Sequence, residues 1–380
     1  MIYLDAAATT QVKREVLEAM WPFLTGEFGN ASSHHTLGES AARTLTDARQ
    51  TVAGVLGCRT SEVTFTSGGT EADNLAIKGI ALASPRGRHV ITTAIEHEAV
   101  LESCEYLRRQ HGFEITYLPV DGFGRVSVEQ VRTSITPETT LCSVMLANNE
   151  VGTIEPIQEI AFVAGSRKVP VHTDAVQAAG VLDLNVKTLG VDALTISGHK
   201  LGAPKGVGAL YVRGRVPVEP LVHGGGQERG RRSGTENIAA AVGLAKALQL
   251  AESSRLWRVG RLSGLRDALI EGVLRTVPSA RLTGDPTHRL PGSASFCFPW
   301  TSGEAVLLQL EQRGIVCSSG SACAAGSDRP SHVLVGMGIA PEIAQTAVRF
   351  TLGDGITAEQ IEEVVRAVRD ASNAVRSIGR

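Results

Sequence analysis

The sequence predicts an α/β protein: a large domain on a seven-stranded, mostly parallel sheet sandwiched by helices, with a smaller α+β domain beside it. Three observations predict this. From about Arg43 to Arg213, amphipathic stretches alternate with short β-branched runs, as in a sheet whose strands are joined by covering helices. A glycine- and arginine-rich stretch, Leu221–Thr235, then breaks the pattern, and a different succession of strands and helices follows. Finally, 380 residues exceed one small core and suit a large domain with a companion.

Taken in order, the expected strands of the large sheet are Glu62–Thr66, His89–Thr93, Glu114–Leu118, Thr140–Leu146, Val169–Thr173, Ala193–Ser197 and Val207–Val212. Between them, Thr70–Ala83 and Glu98–Arg109 carry apolar residues at helical spacing. A long helix is expected over Glu236–Glu252. The second unit then offers strands near Ser293–Phe298, Gly314–Ser318 and Ala347–Leu352, with helices over Ser302–Gln312 and Ala358–Ile378. This division assigns residues 15–250 to the large domain and residues 1–14 with 251–380 to the small one. No internal repeat or low-complexity segment interrupts it.

Composition excludes several classes of function. Lys plus Arg number 37 and Asp plus Glu 39, a net charge of −2, which leaves no electrostatic footprint for nucleic acid or an anionic membrane. The start, Met1-Ile2-Tyr3-Leu4-Asp5, lacks a basic segment followed by an apolar one, and no window reaches the apolar length that a bilayer demands. A cytoplasmic protein acting on a small molecule is expected. Six cysteines are thinly spread with no CxxC pair, which argues against a disulfide framework or a zinc site. No metal is expected.

Two short stretches carry the chemistry. Asp174, in His172-Thr173-Asp174-Ala175-Val176-Gln177, and Lys200, in Ser197-Gly198-His199-Lys200, each close an apolar run. Both charges therefore stand at strand ends, where open α/β sheets form their ligand crevice. Pyridoxal phosphate demands such a pair: its aldehyde takes a lysine as a Schiff base, and its pyridine nitrogen takes an acid that keeps it protonated. Partial desolvation of Lys200 at the end of a buried strand would make its amine nucleophilic. Lys205, in a turn, competes for the role but is expected to be solvated.

Other motifs are ambiguous alone. Ser67-Gly68-Gly69-Thr70-Glu71 sits between a strand and a helix, as an anion site or as an ordinary capped turn. His97 opens a helix, as a ring-stacking proton shuttle or a solvated cap. Asn148-Asn149-Glu150 follows a strand, as an amide contact to the ligand or a polar turn. From Ser318 to Gly326 every residue except Cys323 is Ser, Ala or Gly, which predicts a flexible loop holding one exposed thiol, catalytic or incidental; Cys317, at a strand end, reads as structural.

Together these residues make the chain resemble the cysteine desulfurases, class V aminotransferase enzymes of the NifS/IscS-like type with the pyridoxal-phosphate fold type I. The resemblance runs from Tyr3-Leu4-Asp5-Ala6-Ala7-Ala8-Thr9-Thr10 to Arg349-Phe350-Thr351-Leu352-Gly353, and includes Gly29-Asn30-Ala31-Ser32 and Arg232-Ser233-Gly234-Thr235. It implies that Lys200 holds the cofactor, His97 stacks on its ring, Asp174 pairs with the pyridine nitrogen and Gln177 bonds the ring hydroxyl. It implies phosphate contacts from Gly69, Thr70, Ser197 and His199, and from Thr235 of a second subunit, hence a homodimer. Arg349 would clamp the substrate carboxylate, with Asn149 near both the cofactor ring and the substrate and Asn30 near the substrate. Cys323 would take sulfur from L-cysteine as a persulfide, leaving alanine, and pass it to an acceptor protein. The short span from Cys323 to Ser331-His332-Val333-Leu334 matches the relatives with a long catalytic loop.

Two departures are visible. Gly69 stands where many relatives have alanine, a change expected to be silent because the backbone N–H makes the contact. The chain also ends soon after its last helix, whereas some relatives carry a longer tail that docks an iron–sulfur scaffold, so the acceptor stays open between iron–sulfur assembly, tRNA thiolation and DNA modification. Selenocysteine lyase and cysteine sulfinate desulfinase, of the same fold, are the nearest alternatives. An α/β-hydrolase, suggested by His223-Gly224-Gly225-Gly226, lacks the GxSxG elbow it requires. A non-enzymatic sulfur-relay scaffold has no use for Lys200 and Asp174.

Overall fold

A computed structural model describes residues 1–319 and 329–378. Its large sheet has seven strands in the order Val63–Thr66, Gly208–Val212, Ala193–Ser197, Val171–Asp174, Thr139–Ser143, His89–Thr93 and Glu114–Leu118. Gly208–Val212 runs antiparallel to both its neighbours, and every other adjacent pair is parallel. Six strands therefore end along one edge of the sheet, the side on which α/β proteins hold ligands.

Period-two alternation divides the sheet's side chains between two buried layers. Phe65, Ile91, Cys142, Val171, Leu194 and Tyr211 join one core, with the helices Thr36–Leu56 and Ile238–Ser253. Val90, Leu141, Ala193, Leu210 and Val212 join the other, with Ala72, Leu75 and Leu107. Parallel strands covered on both faces read as continuous apolar runs, which is why the sequence shows them so clearly.

The expected strand Thr140–Leu146 stops at Ser143, and Val169–Thr173 is shifted to Val171–Asp174. Beyond Ser143 the chain pairs on one side only: the amides of Val144 and Leu146 donate to His172 and Asp174 carbonyls, at 3.1 and 2.9 Å. The helix expected over Thr70–Ala83 is present, with a π-helical turn at Leu75–Gly79 between Gly69–Asn74 and Ile80–Ala83.

A separate core gathers Ile2, Leu4, Phe296, Phe350, Val364 and Val368. Here Ser293–Cys297 pairs antiparallel with Ala347–Thr351 and Arg281–Thr283. The strand expected at Gly314–Ser318 is only Ile315–Val316, which pairs with Ile2–Tyr3 at the chain's start; beyond it, Ser318 forms a single antiparallel bridge to Arg349 of that sheet. The helix Arg255–Thr276 is not among the expected elements; glycines at 260, 264 and 272 and scattered arginines blur its periodicity.

The loop after Gly208–Val212 is held by a buried ion pair. Arg49 donates to both carboxylate oxygens of Glu228, at 2.6 and 2.7 Å, and the Phe65 amide donates to the same carboxylate at 3.0 Å. Glu228 and Arg229 adopt left-handed backbone, φ 48° and 59°, which these residues enter only when the surroundings impose it. Truncating Glu228 would strand the Arg49 guanidinium in the core. Glu228→Ala is therefore expected to destabilise the protein by about 3–5 kcal/mol in denaturant unfolding.

Candidate active site

The six parallel strand ends deliver the expected residues to one edge. Asp174 is the last residue of its strand, and Lys200 closes the 3-10 turn that follows Ala193–Ser197. His97 caps the helix Glu98–His111, its Nδ1 accepting from the Ala99 amide at 3.1 Å. The Ser67–Glu71 turn follows Val63–Thr66, and Asn148–Asn149 follows Thr139–Ser143.

Asp174 is 7 % exposed and its Oδ1 accepts from the Val176 amide at 2.8 Å. Burial raises its pKa, while electrostatic contact with His97 and Lys200 acts to lower it. A buried carboxylate with those two residues beside it suits a cationic pyridinium partner. Gly69 lies against the end of that strand and the next: an added Cβ would come within 3.0 Å of Val176 Cγ2 and 3.4 Å of Ser197 Cβ. This refines the expectation that alanine there is silent, because Val176 must give way by a few tenths of an ångström. The turn thus sits close beside Ser197, itself buried, as a phosphate cradle requires. Thr70 is exposed on the same turn. Glu71 anchors the turn to the glycine-rich loop through Arg232 at 2.8 Å; burial opposes ionisation of Glu71, but Arg232 and the Ser67 contacts outweigh it and lower its pKa.

Lys200 is half-buried and donates to the carbonyls of Ala7 and Ala8, the latter at 2.7 Å. Gln177 donates to the Ala7 carbonyl at 3.1 Å. His199 Nδ1 lies 3.1 Å from Thr9 Oγ1, and the Thr10 hydroxyl donates to the His199 carbonyl at 2.8 Å. Burial, with the charges of Lys200 and Lys205, pushes the His199 pKa down to about 4, so its imidazole is neutral at physiological pH. A cleft of about 750 Å³ reaches Lys200 and Gln177 along Ala6, Ala7 and Thr351, large enough for a small ligand. Lys205 is exposed, as its turn suggested.

Arg349 is 2 % exposed in the strand Ala347–Thr351. Its Nη2 meets Asp5 Oδ1 at 2.7 Å and its Nη1 donates to the Asn149 carbonyl at 2.9 Å. These contacts fix the guanidinium plane and bring Asn149 beside Arg349, as expected. Asp5 and the carbonyls of Ala7 and Ala8 are the site residues that sequence reasoning missed. The stretch Tyr3-Leu4-Asp5-Ala6-Ala7-Ala8-Thr9-Thr10 carried part of the family resemblance, but nothing in its small residues announces that carbonyls are what matter.

Two expected residues lie apart. Asn30 is exposed, its side chain accepting from the Ser32 amide at 2.9 Å. Thr235 is exposed and shares a recess of about 190 Å³ with Thr66, Ser67 and Arg232, beside the Ser67–Glu71 turn and apart from the cleft at Lys200. Cys323 lies outside the described residues. Among the described cysteines, Cys317 packs partly buried against the second core, and burial pushes its thiol up to about 12, in keeping with a structural role. No group of three or more His, Cys, Asp or Glu among the described residues could hold a metal ion.

A profile of the aminotransferase class-V family matches residues 2–364. The cysteine desulfurase IscS of Methanosarcina thermophila is 47 % identical over 378 residues, 99 % of this chain and 93 % of that protein. A solved NifS-like protein superposes with a TM-score of 0.91 at 37 % identity, covering 98 % of this chain and 99 % of its own. DndA from Streptomyces lividans superposes at 0.78 with 40 % identity, covering 92 % and 99 %.

Proposed function

The chain belongs to the class V aminotransferase family and is a pyridoxal-phosphate-dependent cysteine desulfurase, and on that premise we propose how its own residues divide the work. The observation that carries the assignment of roles is the delivery of Lys200, Asp174, His97 and the Gly69–Ser197 cradle to one sheet edge, with a cleft open to Lys200. The donor set fits the cofactor: an amine, a buried acid and a backbone turn against a serine. When bound, the cofactor supplies an electron sink for the substrate's α-carbon.

Lys200 would hold the cofactor through its ε-amine, with Asp174 at the ring nitrogen, Gln177 at the ring hydroxyl and His97 against the ring face. Gly69, Thr70, Ser197 and His199 would take the phosphate. Arg349 would bind the carboxylate of L-cysteine, its guanidinium held by Asp5 and the Asn149 carbonyl, with Asn149 and Asn30 beside the substrate. Released from the cofactor, the Lys200 amine would carry the α-proton, with His97 in reach of the same charge network. Cys323 as thiolate would attack the substrate sulfur: the S–S bond forms, the Cβ–S bond breaks, and the electron pair left on Cβ takes a proton. The products are alanine and a persulfide on Cys323, balanced without any external oxidant. An acceptor protein would then remove the outer sulfur.

Two domains, residues 15–250 and residues 1–14 with 251–380, suit the separate cores. A homodimer suits the exposed apolar stripe Leu17, Trp21 and Leu24 on the helix Arg14–Leu24, and would let Thr235 reach the partner's phosphate. We place the protein in the cytoplasm, acting without direct nucleic-acid or membrane contact; no described helix is long and apolar enough to cross a membrane.

The test is direct. Protein incubated with pyridoxal phosphate should become yellow, sediment as a dimer, and release alanine and sulfide from L-cysteine in equal amounts under a reducing thiol. A colourless protein overturns the reading; turnover of selenocysteine alone would move the assignment to a selenocysteine lyase.

A further inference from the structure

Beneath Asp174 the sheet face that carries Val90, Leu141, Ala193 and Leu210 changes from apolar to polar. By strand alternation, Thr92, Ser143, His172 and Thr195 occupy this face, and all four are buried. His172 Nδ1 lies 2.9 Å from Ser143 Oγ, and its Nε2 lies 3.0 Å from Thr195 Oγ1. Thr195 is the cross-strand partner of Asp174. Against this layer the helix beginning at Gly69 places Asp73, 1 % exposed, with its Oδ1 3.6 Å from His172 Nε2 and its carboxyl in reach of the Thr195 hydroxyl. Nothing in the catalytic scheme uses Asp73.

The charges around it leave one reading. From Val171–Asp174, Asp73 meets Asp174 and His172; burial lowers the His172 pKa to about 3, so that imidazole brings no positive charge. After His89–Thr93 comes Glu96, 1 % exposed, whose carboxyl accepts from the Thr93 hydroxyl and the Met145 amide and is pushed by burial up to about 8. Val63–Thr66 and Gly208–Val212 bring Thr64, Leu210 and Val212, without charge, while Tyr211 points into the opposite core. The helix Glu98–His111 buries Ala99, Val100, Ser103, Cys104 and Leu107. On Asp73's own helix, Glu71 is paired with Arg232, and Lys78 lies over the Tyr106 ring. His97 and Lys200 act on Asp174. Burial, then the Asp174 charge, hold the Asp73 pKa well above the ordinary carboxyl range.

We propose that Asp73 is a positioning residue that stays protonated beneath Asp174, in reach of the Thr195 hydroxyl on the sheet, and that its neutrality leaves Asp174 as the single anion available to the cofactor's ring nitrogen. This rests on the assignment of Asp174 to that nitrogen. If Asp73 were ionised, two carboxylates would share one dry pocket and Asp174 would be driven to take up a proton.

Infrared difference spectroscopy of wild type against Asp73→Asn, without cofactor and at neutral pH, tests the protonation directly. The variant should lose one protonated-carboxyl stretch, and an unchanged spectrum overturns the proposal. Equilibrium dialysis of pyridoxal phosphate against pH supplies the second readout. Wild type should lose roughly tenfold in affinity, relative to Asp73→Asn, as alkaline pH ionises Asp73, whereas the two should match within about twofold near neutrality. A merely structural Asp73 would shift both limbs alike, and that result also overturns the proposal. Should Asp73→Asn fail to fold by circular dichroism, Thr195→Val serves: it should shift the wild-type carboxyl band, and an unmoved band refutes the network. The visible spectrum of Asp174→Asn tests the underlying assignment separately. An unaltered spectrum there, with the infrared band still lost in Asp73→Asn, discards the role of Asp174 while the protonated Asp73 stands.

Discussion

Lys200→Ala is expected to lose the yellow colour given by pyridoxal phosphate and to lower cysteine turnover on the order of a thousandfold or more. Lysine is the only side chain that offers both a compact amine and a reach long enough to leave the turn Gly198–Lys200 for the cleft. The same Nζ also donates to the Ala7 and Ala8 carbonyls, so removing it unties the N-terminal segment from the sheet edge. Lys200→Arg separates the two effects. A guanidinium can still donate to those carbonyls, but it stays protonated and cannot act as a nucleophile. Arginine should therefore hold the unfolding temperature near that of wild type while leaving the protein as colourless as the alanine variant. Colour retained in both variants would remove Lys200 from the cofactor site.

Cys323→Ala is expected to have a comparable effect on turnover with the opposite spectroscopic result. Sulfide release from cysteine should fall on the order of a thousandfold while the visible band persists, because the cofactor's contacts all lie elsewhere. The other thiols cannot substitute. Burial pushes Cys58, Cys104, Cys142 and Cys317 up to about 12 and Cys297 to about 11. At neutral pH a thiol near 12 is ionised in roughly one molecule in a hundred thousand, and the thiolate is the nucleophile. Cys317→Ala is the matched control: it should retain sulfide release, at a small packing cost in the second core. Undiminished sulfide release by Cys323→Ala would assign the nucleophile elsewhere.

Much of the site was legible before any coordinates because its chemistry resides in side chains at strand ends. Asp174, Lys200, His97 and the Ser67–Glu71 turn each follow an apolar or β-branched run, and parallel strands buried on both faces make those runs conspicuous. Strand limits were less legible. Val144 to Leu146 are as apolar as the residues before them, yet they pair on one side only. The short strand Ile315–Val316 was expected in position but not in partner, since its neighbour is the chain's first strand, hundreds of residues away in sequence.

The sequence by itself determined the chemistry: which acid, amine, guanidinium and thiol the protein possesses, and that the strands would bring the first two to one crevice. Tertiary structure decided how those groups are held. Residues Asp5 to Thr10 became the hub that binds Lys200 and Gln177 through the Ala7 and Ala8 carbonyls, His199 through the Thr9 and Thr10 hydroxyls, and Arg349 through the Asp5 carboxylate. It also set Asp73 among Thr195, His172 and Asp174, making a polar layer from residues that look like ordinary strand and helix positions. The reason is physical. A side chain's reactivity is written in its identity, but a carbonyl is common to every residue and a buried carboxyl's proton depends on its neighbours, so both acquire meaning only when distant segments meet.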